Sequence, residues 1–174
     1  MSVRSSKEVM ESIFGAMGAG PRPEALHALE TLTARDIMEK RFVVLSPQAT
    51  IREAANIFVE KGIEGAPVAQ EGILKGVVTH HDMLKAFEEK SLELSQHRHG
   101  AVSYEKEFLS LGNKRIAEIM RKKAAAFPHT SLFDTMTVMD ENNVEIVAVI
   151  DEAGRVLGVI SDSAILKVIL KSLV

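Results

Sequence analysis

The stretch Gly76-Val77-Val78-Thr79-His80-His81-Asp82 returns later as Gly158-Val159-Ile160-Ser161-Asp162-Ser163-Ala164, and in both places a Leu-Lys pair follows, at Leu84-Lys85 and Leu166-Lys167. Each copy is a short apolar run that ends on a hydroxyl residue and opens into a helix-like segment. Working outward, more residues repeat in the same order: Ile37-Met38 as Ile119-Met120, Pro47 as Pro128, Thr50-Ile51 as Ser131-Leu132, Glu64 as Glu145, and Val68 as Val149. The offset holds at about 82 residues, too long a period for a solenoid and right for a duplicated domain.

Within each copy the periodicities change in the same sequence. Phe42-Val43-Val44-Leu45, an apolar run ended by Pro47, reads as a strand, and its counterpart Ala124-Ala125-Ala126-Phe127 is a weaker strand former. A helix should follow each. Thr50-x-x-Glu53 is a capping box and Ser131-x-x-Asp134 a looser one. Ile51, Ala54, Ala55, Phe58 and Val59 form the apolar stripe of the first helix; Leu132, Thr135, Met136 and Met139 form that of the second. Gly62 and Asn143 suit the left-handed conformation with which helices often end.

Two hairpins come next. Ala66 to Ala69 turns at Glu71-Gly72 into Ile73 to Thr79, and Ile146 to Ile150 turns through Asp151 to Gly154 into Arg155 to Ser161. A closing helix completes each copy, apolar at Met83, Leu84 and Phe87 in one and at Ile165, Leu166, Ile169 and Leu170 in the other. The fold class is therefore α+β, built from two βαββα units. A unit of about 55 residues buries too little surface to be comfortable alone, and its sheet has a bare face. Packing the copies as a pseudo-twofold pair covers both faces and leaves a cleft between them, a natural place for a small ligand.

The first unit is assigned to 33–88 and the second to 113–174, with an N-terminal helical extension over 1–32 and a helical connection over 89–112. In the extension, Val9, Met10, Ile13, Phe14 and Met17 lie at helical spacing before a break from Gly18 to Pro23, and a second short helical stretch surrounds Leu26 and Leu29. Helices this short do not persist alone in water, so they should dock on the module or on a second subunit. In the connection, Ser103, Glu105, Phe108 and Leu109 predict another helix, on which Tyr104 is a packing residue or one that stacks on a base.

The 174 residues are 46% apolar, enough for a core, and the net charge of −3 comes from 21 basic and 24 acidic residues mixed along the chain. No basic patch marks a nucleic-acid or anionic-membrane partner. There is no cysteine, which removes disulfides, thiolate metal sites and cysteine nucleophiles. No apolar run approaches the roughly 20 residues of a membrane span, and the acidic residues Glu8 and Glu11 argue against a signal peptide, so a cytoplasmic location is expected.

The βαββα order, the Ile-Met before the first strand, the Pro-x-x-Thr/Ser helix start and the Gly-h-h-Thr/Ser strand ending together resemble the CBS domain, arranged as the tandem called a Bateman module. The resemblance covers roughly residues 33–88 and 113–172. It implies a regulatory module that binds an adenosine-containing ligand in the cleft, such as AMP, ADP, ATP or S-adenosylmethionine, and reports to an unknown effector protein. No cofactor is required, and a homodimer formed through the helices is expected.

The same resemblance supplies candidate residues. Thr79 and Asp82 would meet phosphate and ribose, with His81 beside them, and Val43, Val44, Gly65, Ala66 and Pro67 are further backbone and apolar contacts, each of which core packing explains as well or better. A second, weaker site would use Ser161, Asp162, Val147 and Ala148, because Ala164 stands where the ribose carboxylate belongs. A strand running into a helix offers N–H groups to an anion. From spacing alone, Thr79-x-x-Asp82 is equally a helix cap. Arg121-Lys122-Lys123 is a candidate for polyphosphate or a solvated turn. His80-His81 and His97-x-His99 lack an acidic partner at ligand spacing, so no metal site is assigned. With no nucleophile–base pair, phosphate-cradling loop or metal motif, the chain reads as a non-enzyme. The alternative to ligand sensing is a structural or dimerisation module with no nucleotide.

Overall fold

The computed structural model describes residues 23–96, 101–122 and 124–172. The helix expected at Val9 to Met17 and the His97-x-His99 pair lie outside the described residues, as do Lys123 and the side chain of Tyr104. The chain begins with helices α1 (Pro23–Thr31), α2 (Ala34–Ile37) and α3 (Ile51–Lys61), then the hairpin β1 (Gly65–Gln70) and β2 (Ile73–Thr79), then α4 (His80–Gln96) and α5 (Ala101–Ser110). After two 3-10 turns come β3 (Ala125–Ala126), α6 (Leu132–Asn142), β4 (Ile146–Ile150), β5 (Val156–Ser161) and α7 (Asp162–Ser172).

Local chemistry sets the limits of these elements. At the start of α3, Thr50 accepts the Glu53 N–H, while Glu53 accepts the Thr50 N–H at 2.7 Å. Ser131 accepts the Asp134 N–H to begin α6. Gly62 and Asn143 end those helices at φ 63° and φ 50°. The β1–β2 turn bends through Glu71 and Gly72, both at positive φ, which matches the right-handed strand twist.

Strand propensity fails at one point, and in both copies. Phe42 to Leu45, the stronger strand former, makes only one bridge, parallel, from Leu45 to Val68. The weaker Ala125–Ala126 does form a strand, parallel to β4. Glu39 is bridged to Val159 on β5 of the second unit, so the residues after it must cross back before Leu45 pairs in the first unit.

Arg121 makes the reciprocal bridge, to Val77 on β2 of the first unit. Each unit's lead-in thus lies on the other unit's sheet. The helix starts cross in the same way: Ala34 N–H donates to Thr130 O at 2.8 Å, and Ile51 N–H to Lys114 O at 2.9 Å. The hairpins also meet at their tips, where Leu74 N–H reaches Gly154 O at 2.9 Å.

Two cores result. One gathers Ile51, Ala54, Phe58, Val68, Val78 and Met83 of the first unit with Ile116 from the lead-in of the second. The other gathers Leu132, Val147, Val149, Ile160 and Ile165 with Leu29 of α1 and Ala34. The docking expected of the N-terminal stretch around Leu29 is therefore onto the second unit.

Candidate functional site

Strand β2 runs into α4 without a loop, which fixes the corner at Thr79 to Asp82. Thr79 and Asp82 are both buried, and their mutual bonds are those of a cap. The Thr79 N–H and hydroxyl donate to Asp82 Oδ2 at 3.0 and 3.1 Å, and the Asp82 N–H donates to Thr79 Oγ1 at 3.2 Å. Arg121 Nε donates to the remaining oxygen, Oδ1, at 2.8 Å. The His80 N–H is also engaged, by Glu64 O at 2.8 Å. Three amides of this corner, those of Thr79, His80 and Asp82, are thus bound within the chain.

The β5–α7 corner is built alike. Asp162 N–H donates to Glu145 O at 3.0 Å, Ala164 N–H to Ser161 Oγ at 3.2 Å, and Ser163 N–H to the Asp162 carboxylate. Ser161 and Ser163 hydroxyls lie 3.0 Å apart.

Between the units lies a cavity of about 310 Å³, near the lower end of the range that small-molecule pockets occupy. Phe42, Val43, Gly65 and Pro67 line it from the first unit, and Ile146, Val159, Ser161 and Ser163 from the second. Glu39, Glu64, Glu145 and Arg41 supply its charges. Gly65 is required there: a Cβ would stand 2.8 Å from Ile146 Cγ2. A larger cavity of about 720 Å³ is lined by Met136, Met139, Ile165 and Ile169 and shares Glu64, Glu145 and Ser163 with the first.

The structure thus brings together Val43, Gly65 and Pro67 with Ser161, which the sequence placed in two different sites. It does not bring Asp82 to them. Asp82 lines a separate space of about 410 Å³ with Lys85, Lys114, Glu118 and Arg121. Thr79 is the register partner of Gly65, but its hydroxyl is turned into the cap. Ala66, Val147 and Ala148 are core residues, Val44 is half exposed, His81 is exposed on α4, and Asp162 lines the larger cavity.

Sequence reasoning missed Glu39, Arg41, Glu64, Glu145 and Ser163 as lining residues. The Glu64/Glu145 recurrence was the available signal, an acid kept beside the same strand in both copies. Glu39 and Arg41 carried none, because nothing local shows that a lead-in crosses to the other unit. Among the described residues no cluster of three potential metal ligands occurs.

A duplicated α+β unit with exchanged lead-ins and a cavity between the copies defines a paired two-unit module. The chain belongs to the CBS domain family, whose model matches residues 34–89 and again 116–171. Among curated proteins, it is 25% identical over 143 residues to MJ1232 and 26% identical over 147 residues to inosine-5'-monophosphate dehydrogenase, both of Methanocaldococcus jannaschii. Those matches take in 82% and 83% of this chain but only 41% and 25% of the relatives, so the chain spans less than half the length of either.

Solved structures of similar fold include the CBS domain pair of protein MJ0100 in complex with 5-methylthioadenosine and S-adenosyl-L-methionine, at 24% identity and TM-score 0.62 over 81% of this chain and 98% of that one. Another is CBSX2 of Arabidopsis thaliana in complex with AMP, at 21% identity and TM-score 0.61 over 80% of this chain and 96% of that one.

Proposed function

We propose that the chain is a non-catalytic regulatory module that binds an adenosine-containing ligand in the cavity between its units and passes occupancy to a partner protein. The observation that carries this reading is the cavity itself, which combines apolar walls from Phe42, Val43, Pro67 and Val159 with the hydroxyls of Ser161 and Ser163. Apolar walls with few polar groups are what a nucleoside requires. Because the two units build it jointly, a bound ligand stabilises one arrangement of the units over others, and that difference is what a partner can read. The complexes of MJ0100 with methylthioadenosine and S-adenosylmethionine, and of CBSX2 with AMP, support the ligand class.

Pairing with a second copy belongs to the same reading. Leu84 on α4 and Leu166 on α7 occupy equivalent places in the two units and are both largely exposed. Among the described residues no helix is long and apolar enough to cross a membrane.

Thermal shift with millimolar AMP, ADP, ATP and S-adenosylmethionine tests the function. Ligand at about 100 times its Kd adds about 2.7 kcal/mol, or about 5 to 10 °C for a chain of this size. No shift with any of them overturns the reading. The structural alternative, a module without nucleotide, is favoured by one observation: both oxygens of Asp82 are already bound by the chain itself.

A further inference from the structure

We propose that the cavity between the units selects an adenosine compound whose 5′ substituent is positively charged, a sulfonium or an ammonium, over one that carries phosphate. This rests on the adenosine reading above and adds the charge class of the ligand. Phosphate is held by N–H donors and cations. At the strand-to-helix corner that borders the cavity, the Asp162, Ser163 and Ala164 N–H groups are spent within the chain; at the other corner the Thr79, His80 and Asp82 N–H groups are likewise bound, and Asp82 lines a separate space.

The acceptors, by contrast, are open. Three carboxylates, Glu39, Glu64 and Glu145, line the cavity against the single guanidinium of Arg41. Glu145 Oε2 is buried and has no hydrogen-bond partner. A buried acceptor left unbound is costly, and a ligand that brings a donor or a positive charge removes that cost.

Position makes the same point. Glu64 and Glu145 line both the smaller and the larger cavity, so they form the wall the two spaces share. A substituent that reaches from a nucleoside in the smaller space toward the larger one passes these two acids, and beyond them Asp140 and Asp162 line the way. A phosphate on that path meets like charge, whereas a sulfonium meets opposite charge.

Calorimetric titration of the full chain with S-adenosylmethionine, methylthioadenosine and AMP tests the selection, because the three share adenosine and differ in charge. S-adenosylmethionine should bind at least tenfold more tightly than neutral methylthioadenosine, AMP should bind most weakly, and the spread should shrink between about 50 and 300 mM salt as screening grows. Glu145→Gln, which keeps the shape, should weaken S-adenosylmethionine about tenfold and leave methylthioadenosine within threefold; Glu64→Gln, on the same wall, is the second variant. AMP binding as tightly as S-adenosylmethionine overturns the selection and leaves the adenosine reading standing. An unchanged preference in both variants also overturns it. Failure of all three compounds to bind overturns the selection, and failure of ADP and ATP as well overturns both.

Discussion

Arg121 closes on Asp82, Nε to Oδ1 at 2.8 Å, and so ties the lead-in of the second unit to the closing helix of the first. The carboxylate is buried and its other oxygen is held by Thr79, so the pair joins a helix cap to an inter-unit contact. Asp82 acts as a structural joint between the two units.

Removing that joint should cost stability before any ligand is added. Asp82→Ala loses a cap contributing about 1 kcal/mol and leaves the guanidinium without its partner. The Arg121 side chain is 31% exposed, so water takes up part of that loss. The expected total is about 2 kcal/mol, a fall in Tm of about 4 to 8 °C. In a double-mutant cycle with Arg121→Ala the coupling should be about 1 kcal/mol. Strictly additive single effects would show that the ion pair contributes nothing.

Gly76 and Gly158 hold equivalent places, and each admits the other unit's lead-in. A Cβ on Gly76 would stand 2.5 Å from the carbonyl oxygen of Arg121, beside the two backbone hydrogen bonds between Val77 and Arg121. On Gly158 the nearest atom would be Met38 Sδ, at 2.8 Å, with Glu39 O at 3.0 Å. A methionine end can move and a bridged carbonyl cannot. Gly76→Ala should therefore cost about 3 kcal/mol in urea unfolding and Gly158→Ala about 1 to 2. The reverse order would place the tighter junction on the second unit.

Those two glycines also mark where the sequence was legible and where it was not. The hairpins, the capping of α3 by Thr50 and Glu53, and the helix ends at Gly62 and Asn143 are local, written within a few residues of where they act. The exchange of lead-ins links residues far apart through backbone atoms, which leave no side-chain signature. A glycine inside a strand does signal a close backbone approach, so Gly76 and Gly158 held the clue, though not the identity of what approaches. The grouping of Asp82 with Gly65 and Pro67 was drawn from the family resemblance, and the cavity instead takes walls from both copies while Asp82 lines a separate space.

The cavity can be blocked without disturbing the core. Ser163 is exposed at the start of α7 and lines the space between the units. Ser163→Trp should leave the stability without ligand within about 0.5 kcal/mol of wild type, as exposed substitutions do, while abolishing any adenosine-induced shift. A full shift in that variant would place the ligand elsewhere, such as in the space beside Asp82.

The Glu53 carboxyl, held by the Thr50 N–H and then by its hydroxyl, ionises below its ordinary value. A carboxyl depressed by folding contributes stability that is complete above its unfolded pKa and is lost as pH falls through its folded one. In a carbon-detected NMR titration, Thr50→Val should raise the Glu53 midpoint only partway, because the residue 50 N–H, the larger cause, remains. No change at all would show that the hydroxyl plays no part.

Leu29 precedes the first unit in the chain yet is 1% exposed within the core of the second, among residues such as Leu132 and Val149. Helix α1, which carries it, packs on α6 and α7. Nine residues do not sustain a helix in water, so α1 holds its shape through this contact. Leu29→Ala should cost about 3 kcal/mol from lost burial and the cavity left behind. Part of α1 should then undock, and amide exchange should speed up in α1, α6 and α7 more than in β1 and β2. If β1 and β2 accelerate equally, α1 supports the pair as a whole; if they stay protected, it is a strap belonging to the second unit, laid there by the same crossing that carries Glu39 to β5.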